Sequence, residues 1–336
     1  MTDPHTAQTL SSTAERSYWL GRYLERVDST AMLLQAFVNL VIDLPLKSRE
    51  VWGTLVSVTG SSTEFYEHYD QANERNVYRW LINDQRHVGA LLKTVALARE
   101  NARTLQGVIP RQAYEYINEL HLLCADQLTE PLSRSRRVDG LTQAVEMAQQ
   151  TYGFLSGNML HDDCWRFYRL GLFLERADMT TRIVDLGAST GFAQLPELDA
   201  FAELRWRMVL RSRSATQNYR RCSQEPISQA SVLDFMLRNP ALPSSVSYCI
   251  STLSHSLRAL PRETTASRAL SPLRRMLKEM DAAALSEEEA SVLIDQLQAQ
   301  LAVLHDKITK TYFTPDRRSD DAASSGDAPV RAAARQ

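Results

Sequence analysis

Residues 16–28 read RSYWLGRYLERVD, and residues 166–178 read RFYRLGLFLERAD. Eight of the 13 aligned positions are identical: Arg16/Arg166, Tyr18/Tyr168, Leu20/Leu170, Gly21/Gly171, Leu24/Leu174, Glu25/Glu175, Arg26/Arg176 and Asp28/Asp178. A duplicated segment is read before any local pattern, because a missed repeat misassigns the whole fold. Both copies read as helices. At 3.6 residues per turn, Tyr18, Gly21, Glu25 and Asp28 fall on one stripe. That stripe joins two carboxylates to a glycine, which costs about 1 kcal/mol against alanine inside a helix. A glycine kept at the same place in both copies predicts that something packs close to the backbone there.

Working outward, the chain of 336 residues is long enough for one large helical domain or two modest ones, and an apolar fraction of 44% is ample for a core. A formal net charge of -2 gives no electrostatic case for nucleic acid or for an anionic membrane surface. Cys124, Cys164, Cys222 and Cys249 are widely spaced and form no CxxC pair, so they read as buried reduced thiols. The start, MTDPHTAQTL, has neither a basic region nor an apolar run, and Ala31–Leu44 is broken by Gln35, Asn39 and Asp43. Neither stretch reads as a secretory signal or a membrane span, so a cytoplasmic location is expected.

Helical spacing recurs along the chain. Ser12-x-x-Glu15 has the capping-box pattern, and a helix is expected over 13–42, stopped by Pro45. Further helices are expected near 51–58, 64–69, 76–81, 84–105, 111–128 and 138–159. Residues 131–137 read as a basic turn. The second motif helix should start at Asp162 or Asp163 and run to about Leu186. Beyond it, helices are expected over 198–218, 227–237 and 244–260, then over 261–280 with a kink at Pro272. Ser286-x-x-Glu289 should cap a last helix reaching Tyr312. Residues 1–10 and 314–336 read as tails, the latter disordered by composition. No segment alternates apolar and polar residues, so the fold is expected to be all-α. The 150-residue offset predicts a single bundle over 11–313, whose related halves start near 12 and 162 and place the two motif helices as a central pair with approximate two-fold symmetry.

The motif admits several chemistries. Glu25 and Arg26 point about 100° apart and do not pair within one helix. A Glu and an Arg on each of two packed helices would bridge across the interface, since buried charges must be paired, and such pairs fix register. Alternatively, Glu25, Asp28, Glu175 and Asp178 would form the floor of a polar pocket, with Arg16, Arg26, Arg166 and Arg176 as counter-charges. A carboxylate there would serve as acid or base, and the arginines would clamp a carboxylate or phosphate. Tyr18 and Tyr168 would line such a pocket, although with Trp19, Tyr23 and Phe173 they also read as core. No metal or other cofactor is expected: bundle di-metal sites use Glu-x-x-His, and neither copy has that histidine. His161-Asp162-Asp163 reads as an acidic helix start rather than a metal cluster.

The repeated Leu-Glu-Arg-Val/Ala-Asp segment resembles that of the bacterial alpha-E domain family. AERSYWLGRYLERVDSTAMLL is similar to the family's opening, and ARENARTLQGVIPRQAYEYIN to its middle signature. FYRLGLFLERADMTTRIVDL resembles its second Glu-Arg helix, and VLDFMLRNPALPSSVSYCI its C-terminal region. The resemblance covers about Leu10 to Phe313. Members are typically encoded beside, or fused to, circularly permuted ATP-grasp proteins, often near transglutaminase-like proteins. The resemblance therefore implies a partner in an ATP-grasp peptide- or amide-modifying system. It transfers no catalytic residues.

Overall fold

The first motif copy lies in α1, Ser11–Asp43, a helix of 33 residues, and the second in α8, Asp163–Ala188. The structure is a computed structural model that describes residues 11–43, 49–129, 133–188, 202–223 and 225–314. Between the motif helices run α2 (Arg49–Val58), α3 (Ser62–Tyr66), α4 (Glu74–Ile82), α5 (Leu91–Thr104), α6 (Arg111–Gln127) and α7 (Arg134–Asn158). After them come α9 (Ala202–Arg211), α10 (Thr216–Cys222), α11 (Gln229–Arg238), α12 (Val246–Arg258), α13 (Thr264–Arg268), α14 (Leu270–Glu279) and α15 (Glu287–Tyr312). No strand occurs among the described residues, and the all-α class is as expected.

The α1–α8 pair is the axis of the fold. α1 also packs on α5, α7, α9 and α15, while α8 packs on α12, α15, α9, α11 and α2. One continuous apolar core follows, with Trp52, Trp80 and Trp206 fully buried. α8 itself has almost no polar face: 19 residues from Cys164 to Ala188 are buried, including Glu175. A helix apolar nearly all round is a central helix, because only burial on every side satisfies it. The chain's two described ends meet where the Ser11 hydroxyl donates to the carbonyls of Tyr312 (2.9 Å) and Phe313 (3.1 Å).

Local signals explain most boundaries. Ser286 and Glu289 form the expected capping box of α15. Asp162 accepts from the Trp165 N–H (3.2 Å) and starts α8, while Asp163 pairs with Arg166 (2.7 Å). His161 stacks on Trp165.

Several expectations need correction. Ser12 is already helical, so it does not cap α1. The helix expected from residue 84 starts only at Leu91: Asp84 is tied by Arg86 (2.6 Å) and Tyr69 (2.6 Å) into a turn. The basic turn expected at 131–137 is partly helix, since Ser133 accepts from the Arg136 N–H and opens α7. The helix expected over 198–218 is two, α9 and α10, separated at Ser214, whose φ of 50° no helix accommodates. The break expected at Pro272 falls earlier, at Ala269, because a proline in the first turn of α14 loses no intrahelical bond. Cys222 is exposed, unlike Cys124, Cys164 and Cys249. The expected tails (1–10 and 315–336), Pro45 and residues 198–201 lie outside the described residues.

Candidate functional site

The two motif helices touch backbone to backbone. A Cβ built on Gly21 would stand 2.2 Å from the Tyr168 carbonyl oxygen, and one on Gly171 would stand 1.8 Å from that of Tyr18. Neither distance is compatible with a side chain, so the repeated glycine is explained by the approach of the opposite helix. The contact is reciprocal, Gly21 with Tyr168 and Gly171 with Tyr18.

One turn further along, the charges are exchanged in the same way. Arg26 donates through Nε (2.5 Å) and Nη2 (3.1 Å) to the carboxylate of Glu175. Arg176 donates through Nε (3.0 Å) and Nη2 (2.6 Å) to the carboxylate of Glu25. Each motif glutamate is thus held by the arginine of the other copy; Arg26 spans both oxygens of Glu175, the strongest geometry for this pair, whereas Arg176 places both N–H groups on Glu25 Oε2.

The exchange stops at the second cation. Glu175 takes Arg22, whose Nε lies 2.6 Å from Oε2. The counterpart of Arg22 is Leu172, which has no charge to offer Glu25. Arg213, which follows α9, fills that place. Its Nη2 donates to Glu25 Oε1 (3.1 Å), and its Nη1 donates to Ser29 Oγ (2.6 Å), which itself donates to Glu25 (3.1 Å). Both glutamates therefore carry two guanidinium groups, and their side chains are 2% and 1% exposed. Buried carboxylates remain ionised only with such compensation. Burial pushes both carboxyls up, yet Arg176 and Arg213 hold Glu25 below its ordinary value, and Arg22 and Arg26 hold Glu175 at about 2.

The four acids do not form one common floor, although Glu25 and Asp28 border the same small cavity. Asp178 pairs along its own helix with Arg182 (2.9 Å), which also donates to the Val58 carbonyl (3.1 Å). Asp28 receives a hydrogen bond from Gln149 of α7 (3.3 Å). The four acids thus divide into two sets, Glu25 and Asp28 near Arg176 and Arg213, and Glu175 and Asp178 near Arg22 and Arg26. Asp28 is the exception in charge: burial and the Glu25 carboxylate raise it to about 7 against the opposing pull of Arg213 and Arg176. A cavity of about 30 Å³, lined by Glu25, Asp28, Gln149, Tyr152, Tyr168 and Arg176 among others, adjoins it. Such a volume holds a water molecule or two and nothing larger. The buried Tyr168 hydroxyl has no hydrogen-bond partner among the described residues.

The remaining sequence candidates are elsewhere. Arg16 is exposed, and Arg166 is engaged by Asp163, so neither is a counter-charge of the buried glutamates. Tyr18 is buried, and its hydroxyl bonds His305 Nδ1 of α15 (2.7 Å) and accepts from Arg22 (3.4 Å). Burial pushes this phenol up to about 12, though Arg22 pulls the other way. Sequence reasoning missed Arg213, Ser29, Gln149 and His305. Arg22 was visible inside the motif but lacked a copy, and nothing around residue 213 marks it.

No group of three or more His, Cys, Asp or Glu among the described residues is arranged to hold a metal ion. No helix among them is long and apolar enough to cross a membrane. Neither a curated protein nor a solved structure matches the chain. A family does: residues 9–313 match Alpha-E, described as a predicted alpha-helical domain with a conserved ER motif. The Glu25-Arg26 and Glu175-Arg176 pairs stand as two such ER dipeptides inside that span, and the chain belongs to the Alpha-E family.

Proposed function

We propose that this Alpha-E chain is a non-catalytic helical partner of a circularly permuted ATP-grasp amide ligase, in a peptide- or amide-modifying system of the cytoplasm. In this reading its Glu-Arg motifs lock the body together and handle no substrate. The observation that carries the structural role is the saturation of Glu25 and Glu175. Each is buried and bonded by two guanidinium groups, and the cavity that Glu25 borders, about 30 Å³, holds no more than a water molecule or two. An acid/base group needs a lone pair or proton within reach of substrate, and a cavity of that size admits none. The partner rests on the family resemblance, which also makes a transglutaminase-like protein a second candidate.

The test is co-expression of the full chain with a circularly permuted ATP-grasp protein from the same organism, followed by size-exclusion chromatography. A co-eluting complex with a Kd in the micromolar range or tighter is expected. Separate elution at micromolar concentrations of both proteins overturns the partner. Glu25→Gln and Glu175→Gln should lower complex yield only as far as they lower folded protein. A variant that keeps its melting temperature but abolishes activity of the paired system overturns the structural role.

One observation favours a second reading, acid/base work at Asp28. Its raised carboxyl and the unpartnered Tyr168 hydroxyl both border the small cavity. In that case Asp28→Asn abolishes activity of the paired system without loss of folded protein, whereas the scaffold reading expects it to remain active.

A further inference from the structure

On the side of the molecule built from α11, α12 and α14 lies a groove of about 320 Å³. Arg238 from the end of α11, Ser247 and Ser251 from α12, and Arg274 and Lys278 from α14 form its walls, over a floor of Ile250 and Leu277. Its lining contains three cations and no carboxylate, in a chain whose acids outnumber its bases.

Two of these cations repel each other. Arg274 and Lys278 are four residues apart on one helix face, where like charges repel. Both are exposed, and among the described residues neither has an ion pair or hydrogen-bond partner. Other exposed arginines do find carboxylates on their own helix, as Arg111 does with Glu115 (3.0 Å) and Arg238 with Asp234 (2.9 Å). Arg238 spends Nη1 on Asp234 and on the Met280 carbonyl (3.4 Å), which fixes its guanidinium at the rim. Ser247 sits in the first turn of α12, where the backbone dipole is positive, and Ser251 repeats its position one turn on.

We infer that this groove binds a small phosphomonoester through its phosphoryl group. A carboxylate offers two oxygens and one charge. A phosphoryl group offers three acceptor oxygens and close to two charges, which matches two free cations, a fixed guanidinium and two hydroxyls. The volume leaves room for a few atoms beyond the phosphorus, which would lie on Ile250 and Leu277. None of its lining residues lies on a motif helix.

The test is calorimetric titration of the full chain with glycerol 3-phosphate, with glycerol and acetate as controls. Saturable one-to-one binding with a Kd of about 1 mM or tighter is expected. The double variant R274Q/K278Q should weaken it about tenfold or more with an unchanged melting temperature, since both side chains are exposed. R275Q, which removes the neighbouring exposed cation outside the groove, should leave it within about twofold. The proposal is overturned by an absence of saturation, by acetate binding as tightly as the phosphomonoester, or by R275Q weakening binding as much as R274Q/K278Q.

Discussion

Gly171 lies so close to Tyr18 that a methyl group in place of its hydrogen would stand 1.8 Å from the Tyr18 carbonyl oxygen. The obstacle is backbone in mid-helix, which cannot rotate aside as a side chain can. Gly171→Ala and Gly21→Ala should each destabilise the protein by about 3 kcal/mol or more, despite a gain of about 1 kcal/mol in helix propensity. Denaturant unfolding of the two variants checks this. Gly153→Ala, in α7 with open space around it, is the control and should be neutral or stabilising.

The buried ion groups predict a distinctive pattern of losses. Glu175→Gln leaves Arg22 and Arg26 short of an anion, at a cost of about 3–5 kcal/mol. Replacing Glu175, Arg22 and Arg26 together by leucine should cost far less, staying within about 2 kcal/mol of the parent. Equilibrium unfolding of the single and triple variants distinguishes a structural cluster from one kept for chemistry.

Acid and neutral pH should act on this centre in opposite directions. Glu175 is held at about 2, below its unfolded value, so its contribution is present above the unfolded value and is lost as pH falls from about 4 towards 2. Asp28 is raised to about 7, so the native state binds its proton more tightly than the unfolded chain. Its contribution is present below the unfolded value near 4 and is lost as pH rises from about 4 to 7, at up to about 1.4 kcal/mol per pH unit. Stability measured across that range should therefore fall towards neutrality at this group. Asp28→Asn should flatten the slope and be more stable than the parent at pH 8.

Arg213 stands in for the cation that Leu172 does not supply. Arg213→Leu should cost about 3 kcal/mol, because Glu25 then keeps a single guanidinium. Adding Leu172→Arg should restore at least about 1 kcal/mol, since it recreates for Glu25 the relation that Arg22 has to Glu175. Alone, Leu172→Arg should destabilise, as Leu172 is 1% exposed and Arg213 already occupies the space. A thermodynamic cycle over the three variants measures the coupling.

How far the sequence could be read depends on which interactions are local. Helical spacing and the Ser286 cap are set by neighbours a few residues away, and they predicted the class and α15; the glycine answers to the opposite helix, yet its duplication in the motif made the close crossing of α1 and α8 legible. The boundaries that misled have tertiary causes: the Asp84 turn depends on Tyr69 and Arg86, and the α9–α10 break on a single residue with positive φ. At the centre, the motif showed which charges matter but not how they are shared. Arg213 approaches Glu25 from 188 positions away, without periodicity or motif to announce it, while Arg16 and Arg166, legible as part of the repeat, face other partners or solvent.

The distances along the chain between these partners also govern how the protein is made. Glu25 meets Arg176 only 151 residues later and Arg213 only 188 residues later. While the first half is being synthesised, α1 carries an anion whose two guanidinium partners have yet to be made. The buried cluster around Glu25 can therefore close only after residue 213 has emerged, which makes it a late, long-range step of folding.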